Sequence, residues 1–185
     1  MPKEIEARFL EINKDDLISK LRKLGAVDEG EKFLEEIIFY DPEFKWRDVE
    51  RKFVRLRKLG DVTKLTYKQN KEETIDSTTE IELEVSDMHK TEELLEAIGL
   101  VAYRHQEKKR HSFHLGKAIF DIDSWPKIPT FLEIEGPDEQ TIRDAAQKLG
   151  LEWSKAVFDD ARSVIEKRYS IPVGTMRWFT FDKFE

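Results

Sequence analysis

The sequence predicts an α+β fold: an antiparallel sheet of about eight strands, closed into a barrel or folded as a sandwich, with helices at its periphery. Three observations predict it. About eight segments alternate apolar and polar residues with a period of two, most of them joined by short turns. Three other segments repeat one plan, an amphipathic run ended by a glycine and then an apolar residue. Charge also sorts by strand, with some polar faces acidic and others basic.

The first strand, residues 3–10, sets Glu4, Glu6 and Arg8 on one face and Ile5, Ala7 and Phe9 on the other. A helix follows. Asn13 is a natural N-cap, Asp15 and Asp16 suit the positive end of the helix dipole, and Leu17, Ile18, Leu21 and Leu24 line one face before the stop at Gly25. Residues 33–40 are apolar and aromatic, and Asp41-Pro42 breaks that strand. The charged stretch up to about Arg51 reads as a loop or hairpin end. Strands 52–59 and 63–69 flank Gly60-Asp61, a pair suited to a hairpin turn. Strand 79–85 leads to a second helix, from Ser86-Asp87 to Gly99, with Leu94, Leu95 and Ile98. Strands 101–115 and 117–124 turn near Gly116, and 131–135 completes the set. A third helix spans Asp138 to Gly150, and a fourth is expected to begin after Ser154 and run towards Lys167. The irregular spacing favours helices crossing over one sheet over a solenoid. The tail carries Trp178, Phe179, Phe181 and Phe184, expected to pack onto the barrel or plug its mouth more than to form a partner surface.

A length of 185 residues suits one domain with a sizeable core. The net charge of −7 argues against bulk attraction to a nucleic acid polymer or an anionic membrane. No apolar run approaches the roughly 20 residues needed to span a bilayer, and the N-terminal stretch lacks the apolar core of a secretion signal. A cytoplasmic location is expected. Without cysteine there is no disulfide, thiolate nucleophile or cysteine-based zinc site. His105 and His111 share a strand face that His114 does not, so a zinc site there is not expected either. A Gly-rich phosphate loop is absent, which excludes a Walker-type NTPase.

The strands differ in the sign of their polar faces. Arg55 and Arg57 share one face, Lys64, Thr66 and Lys68 another, and Lys108 pairs with Arg110. Glu80, Glu82 and Glu84, Asp121 with Asp123, and Glu133 with Glu135 form the acidic set. A solvated antiparallel face also alternates in this way. It has no need to separate acids from bases by strand, because like charges side by side are mildly destabilising. The pattern suggests a polar face turned inward around a highly charged guest. Bases would meet its anionic oxygens, and carboxylates would hold the hard divalent cation that it brings. Polyphosphate fits both halves.

These residues carry a family resemblance. Glu4-Ile5-Glu6-Ala7-Arg8 resembles the ExExK signature of the CYTH superfamily, or triphosphate tunnel metalloenzymes, which includes class IV adenylyl cyclases, thiamine triphosphatases and inorganic triphosphatases. Arg55-Leu56-Arg57 resembles its RxR strand, Leu65-Thr66-Tyr67-Lys68 its LTxK strand and Glu80-Ile81-Glu82-Leu83-Glu84 its central acidic strand. Lys108-Lys109-Arg110 resembles the KxR strand, Asp123 the family aspartate, and Phe131-Leu132-Glu133-Ile134-Glu135-Gly136 the closing FxEIEG. The resemblance covers residues 1–170 as a tunnel domain, with 171–185 as an aromatic tail on the same domain. Position 8 departs from it, with Arg where the family usually has Lys; the two cations are not equivalent donors.

The resemblance implies an eight-stranded antiparallel closed β-barrel enclosing a tunnel. It implies that Arg8, Arg55, Arg57, Lys68, Lys108 and Arg110 clasp a triphosphate, and that Glu4, Glu6, Asp123, Glu133 and Glu135 hold Mg²⁺ or Mn²⁺. Catalysis would fall to Arg8, Glu82 and Glu84. The implied activity is metal-dependent hydrolysis of inorganic triphosphate, a nucleoside triphosphate or thiamine triphosphate. Alternatives are a class IV adenylyl cyclase, which converts ATP to cyclic AMP and pyrophosphate, and a non-catalytic polyphosphate or nucleotide binding module. The order helix, aromatic strand, Tyr-Asp also resembles the cyclase-like branch. The expected partner is a small-molecule triphosphate, and the protein is expected to be a monomer or homodimer.

Overall fold

A computed structural model of the chain describes residues 5–70 and 78–185. Glu4 lies outside the described residues. Two long strands, β2 (Val27–Tyr40) and β6 (Val101–Leu115), pair antiparallel at the centre of the sheet. On one side of them lie β3 (Lys52–Leu59), β4 (Val62–Asn70) and β5 (Thr78–Val85); on the other lie β7 (Ala118–Ser124), β8 (Phe131–Gly136) and β1 (Ile5–Phe9). The order is β1-β8-β7-β6-β2-β3-β4-β5, and every adjacent pair is antiparallel.

The expected closure of the barrel is corrected here. Among the described residues no ladder joins β5 to β1, so the sheet is a curled, open barrel. Its curl still brings side chains from both edge strands, Glu6 and Glu80 among them, to one cavity.

Helices α1 (Lys14–Lys23), α3 (Met88–Ala97), α4 (Glu139–Lys148) and α5 (Ala161–Tyr169) each start at a side-chain cap. Asn13, Asp87, Asp138 and Asp160 accept from the backbone N–H groups of Asp16, Lys90, Thr141 and Ser163, satisfying donors that a helix start leaves open. The fourth long helix begins after Ser154, as expected, at Ala161, and residues Trp153–Lys155 make only a single 3₁₀ turn. Asp160 is the stronger cap, since it also accepts from the Ser163 hydroxyl.

Two further boundaries differ from the sequence expectation. Strand β2 starts at Val27, well before residue 33, with Gly30 at φ +77° where the register shifts between Asp28 and Glu31. The stretch read as a loop after Asp41 contains a short helix, α2 (Lys45–Asp48). Asp41 organises it, its carboxylate accepting from the backbone N–H of Lys45 and of Trp46 at 3.1 and 2.7 Å.

The convex face of the sheet is apolar. Ala7, Phe9, Phe120, Ile122, Leu132 and Ile134 pack beneath α1 and α4 with Leu17, Leu21, Ile142 and Leu149. Ile37, Phe39 and Leu56 pack with Leu95 of α3. Burial of these side chains fixes the register, because a slip of one residue would exchange the two faces. The charged residues are thereby turned to the concave side.

At one end, Trp125, Phe131, Ile165, Val173, Met176 and Phe179 form a third cluster. Strand β9 (Trp178–Phe179) runs parallel to β6 at His105 and Gln106, and Phe179 is fully buried. The aromatic tail is thus packed onto the sheet. No helix among the described residues is long and apolar enough to cross a membrane.

Candidate functional site

The concave face encloses a cavity of about 650 Å³. Its wall carries Arg8 from β1, Arg55 and Arg57 from β3, Lys64 and Lys68 from β4, and Lys108 and Arg110 from β6. Acids share the wall: Glu6 from β1 itself, Glu36 from β2, Glu80 and Glu82 from β5, and Glu133 and Glu135 from β8. Strand alternation explains why these residues meet, since each occupies the parity opposite to the apolar residues under the helices.

Arg8 lies between two carboxylates. Its Nη2 is 2.6 Å from Glu6 Oε1 and 2.8 Å from Glu133 Oε2, while Nη1 donates to the Asp159 carbonyl at 2.6 Å. Burial alone would lower its pKa, but Glu6 and Glu133 outweigh it and hold the guanidinium firmly charged. Arg110 donates to Asp123 through Nε and Nη2, to Asp121 through Nη1, and to Glu133 at 3.1 Å. Lys108 donates to Asp123 Oδ2 at 2.7 Å. Asp123 is fully buried behind these bases and does not reach the cavity wall.

The β3 arginines differ from one another. Arg57 donates through Nε to Glu36 Oε1 at 2.5 Å. Arg55 forms no hydrogen bond among the described residues; its nearest carboxylate oxygens, on Glu36 and Glu80, are 3.9 and 3.8 Å away, and its buried Nε lacks a partner. Burial, and then the neighbouring Arg57 charge, push the Arg55 pKa down. Lys68 meets Glu80 at 3.1 Å, so the absence of acids on the bases' own strands does not leave those strands without acidic neighbours. Glu82 accepts from Lys64 at 2.6 Å and from Thr66 at 3.1 Å. Glu84 is exposed and lies outside the cavity wall.

Sequence reasoning missed Glu36. Its strand reads as apolar and aromatic, yet Glu36 shares parity with Ile38 and Tyr40, which also face the cavity. An acid in the middle of such a strand was the available signal. It also passed over Arg104 and Gln106, which continue the period of two from Lys108 and Arg110. The α2 side chains Trp46 and Arg47, and Asp160, Arg162 and Ser163 at the start of α5, complete the rim. These come from segments with no strand periodicity.

The histidines lie elsewhere. His111 pairs with Asp28 and stacks on Phe113, His105 stacks on Trp178, and His114 meets Glu29. Among the described residues no three His, Asp or Glu side chains are already gathered as a metal-ligating group. The donor set nevertheless suits a hard cation in kind. Glu6 stands directly opposite Glu135 across β1 and β8, a like-charge pair that a shared cation would relieve, and all the donors are oxygens.

The CYTH domain family profile matches residues 2–167, most of the chain. The chain belongs to the CYTH domain family. Among solved structures, this CYTH chain is similar to the PH1012 protein of Pyrococcus horikoshii OT3, with 27% identity, a TM-score of 0.71, and coverage of 84% of this chain and 95% of that one. It is also similar to a proposed adenylate cyclase of Vibrio parahaemolyticus, with 15% identity, a TM-score of 0.76, and coverage of 89% and 98%. A third structure is a proposed adenylyl cyclase of Hippeastrum, described as having a dominant triphosphatase activity. It is 13% identical with a TM-score of 0.65 and coverage of 92% and 96%. The last two share the fold. No curated protein matches the chain significantly.

Proposed function

We propose that this CYTH protein is a metal-dependent phosphohydrolase acting on a triphosphate bound in the curled sheet. One observation carries the reading: seven strands contribute bases or acids to a single cavity, and one of those bases, Arg55, is largely buried without a hydrogen-bonded partner among the described residues. A buried cation lacking such partners is costly, and an anionic oxygen supplies what it lacks. Membership in a family of triphosphatases and cyclase-like enzymes supports the same reading.

In this proposal Arg8, Arg55, Arg57, Lys68, Lys108 and Arg110 neutralise and orient the phosphate chain. Positioning and charge neutralisation carry most of the work in phosphoryl transfer. Glu6, Glu133 and Glu135 would hold Mg²⁺ or Mn²⁺, and Asp123, whose oxygens are taken by Lys108 and Arg110, would brace those two bases from behind instead of ligating the ion. A bound ion of this kind supplies Lewis-acid polarisation of the phosphoryl oxygens and lowers the pKa of an attacking water. Arg8 faces the same carboxylates and would be released towards the substrate as they turn to a cation. Glu82, fixed by Lys64 and Thr66, would orient the nucleophile, with Glu84 an outer acid of the same strand.

A second reading rests on the aromatic rim. Tyr40, Trp46, Phe53 and Trp125 line the same cavity, where a base and sugar could stack, as a class IV adenylyl cyclase would need. One experiment separates the readings. The protein is incubated with Mg²⁺ or Mn²⁺ and tripolyphosphate, ATP or thiamine triphosphate, and each product is identified. Orthophosphate supports hydrolysis, cyclic AMP with pyrophosphate supports cyclisation, and tight binding without turnover leaves only a binding module.

A further inference from the structure

Glu36 is nearly fully buried in the basic part of the cavity, and it sits in the middle of a row that crosses three strands. It is the direct ladder partner of Arg57 on β3 and of Gln106 on β6. Each of its oxygens has one donor: Oε1 takes the Arg57 Nε at 2.5 Å, and Oε2 takes the Gln106 amide. Gln106 is fixed in turn, since its Oε1 accepts from the Arg104 Nε at 2.8 Å, and Arg104 donates to the Val173 carbonyl at 3.1 Å. Burial would raise the Glu36 pKa, but Arg57, Arg55 and Lys108 together hold the carboxyl well below the usual range. It is therefore a fixed anion, oriented on both sides.

What this does to Arg57 follows from guanidinium geometry. Its nitrogens lie in one rigid plane, so anchoring Nε fixes where the other two point. Nη1 and Nη2 of Arg57 form no hydrogen bond among the described residues, and the side chain lines the cavity. A guanidinium held at Nε offers both terminal nitrogens to one anion. The same Glu36 oxygen lies 3.9 Å from Arg55 Nη1, too far for a hydrogen bond but near enough to bias that side chain.

We propose that Glu36 is a positioning residue of the anion site: with Gln106 and Arg104 it holds Arg57 by Nε and aims its two terminal nitrogens at a phosphate of the bound triphosphate. This rests on the reading that the cavity binds a triphosphate. Glu36 does not touch the ligand; it acts through Arg57. An anion placed inside an anion site lowers affinity through its field, so its retention here is explained by the geometry that it imposes.

The test is a double-mutant cycle on ligand affinity, which a purely structural role would not couple. Tripolyphosphate is titrated calorimetrically, in chelator, into the wild type, E36A, E36Q, R57A, both double variants with R57A, and R55A. Thermal melts confirm that each is folded. E36A is expected to weaken binding about tenfold, the scale of one misplaced charge-assisted contact, while in the R57A background neither Glu36 change weakens it further. E36Q leaves its amide facing that of Gln106, and E36Q/Q106E restores the pattern of donors and acceptors with the same net charge. That pair should recover affinity to within a few-fold of the wild type. Equal losses from Glu36 in the presence and absence of Arg57 would overturn the proposal, as would unchanged or tighter binding by E36A. Failure of the wild type to bind tripolyphosphate at all would overturn the function reading and this inference with it. Wild-type binding that R55A impairs and Glu36 changes do not would overturn this inference alone.

Discussion

Arg8 and Glu133 are direct cross-strand partners on β1 and β8, with Nη2 of the arginine 2.8 Å from Oε2 of the glutamate. The same nitrogen reaches Glu6, so one buried cation separates two carboxylates of the inner face. Removing it takes away the cation between those acids, and of its two partners Glu133 keeps Arg110 at 3.1 Å. Arg8→Ala is therefore expected to destabilise the fold by about 3–5 kcal/mol in chelator, as breaking a buried ion pair does. Urea unfolding measures the loss. Mn²⁺ should restore part of it in the variant, because a divalent cation takes over the neutralisation; a loss below about 1 kcal/mol, unchanged by Mn²⁺, would show that the pairing is not coupled to a cation site.

Glu6 and Glu135 occupy opposite positions in the same ladder. If they share a divalent ion, Glu135→Gln removes one charge and keeps the shape. Activity should fall sharply and need a higher metal concentration for half-saturation. A metal titration of tripolyphosphate turnover in Glu135→Gln and Glu6→Gln checks this, and two unchanged half-saturation points would count against the ligand assignment.

Much of the site was legible because a strand writes its geometry at a period of two. Arg55 with Arg57, Lys108 with Arg110 and Glu133 with Glu135 could be set on one face each, and the apolar alternates at 54, 56, 132 and 134 said which face. What the period could not give was depth. Asp121 and Asp123 share the inward parity, but Asp123 is covered by Lys108 and Arg110, which come from another strand. Glu36 was hidden for the opposite reason: it is the one acid on its face of residues 33–40, beside Leu34, Ile38 and Tyr40, and its partners are set by ladders that the sequence does not state. Closure was also illegible, because a run of hairpins specifies neighbours and not whether the two edge strands meet.

Acid stability follows from Glu36. Burial would raise its pKa, but Arg57, Arg55 and Lys108 depress it below the unfolded value of about 4.3. A carboxylate depressed in the folded state contributes stability that is fully present above the unfolded pKa and is lost as pH falls below it. Urea midpoints measured from pH 7 down to pH 3 should therefore fall for the wild type below about pH 4.3, with a shallower fall for Glu36→Gln. Identical slopes would mean that Glu36 keeps no depressed pKa.

Arg55 and Arg57 are two residues apart on one strand face, and their surroundings predict opposite costs. Arg57 is satisfied by Glu36, so Arg57→Ala leaves a buried carboxylate short of its main partner and should destabilise the protein. Arg55 has ion pairs no closer than 3.8 Å and a buried Nε without a partner, so its charge is poorly compensated in the empty cavity. Arg55→Ala should then leave stability within about 1 kcal/mol of the wild type, or raise it, because the penalty of burying that charge disappears. Its effect on the ligand should be large. Losing a charge-assisted contact costs roughly 1.5–3 kcal/mol, on the order of tenfold to a hundredfold in affinity for tripolyphosphate without metal. Calorimetric titration in chelator, beside urea unfolding of both variants, makes the comparison. Arg55→Ala binding tripolyphosphate as the wild type does, or losing as much stability as Arg57→Ala, would show that Arg55 is an ordinary member of the internal ion-pair network and not its vacant anion receptor.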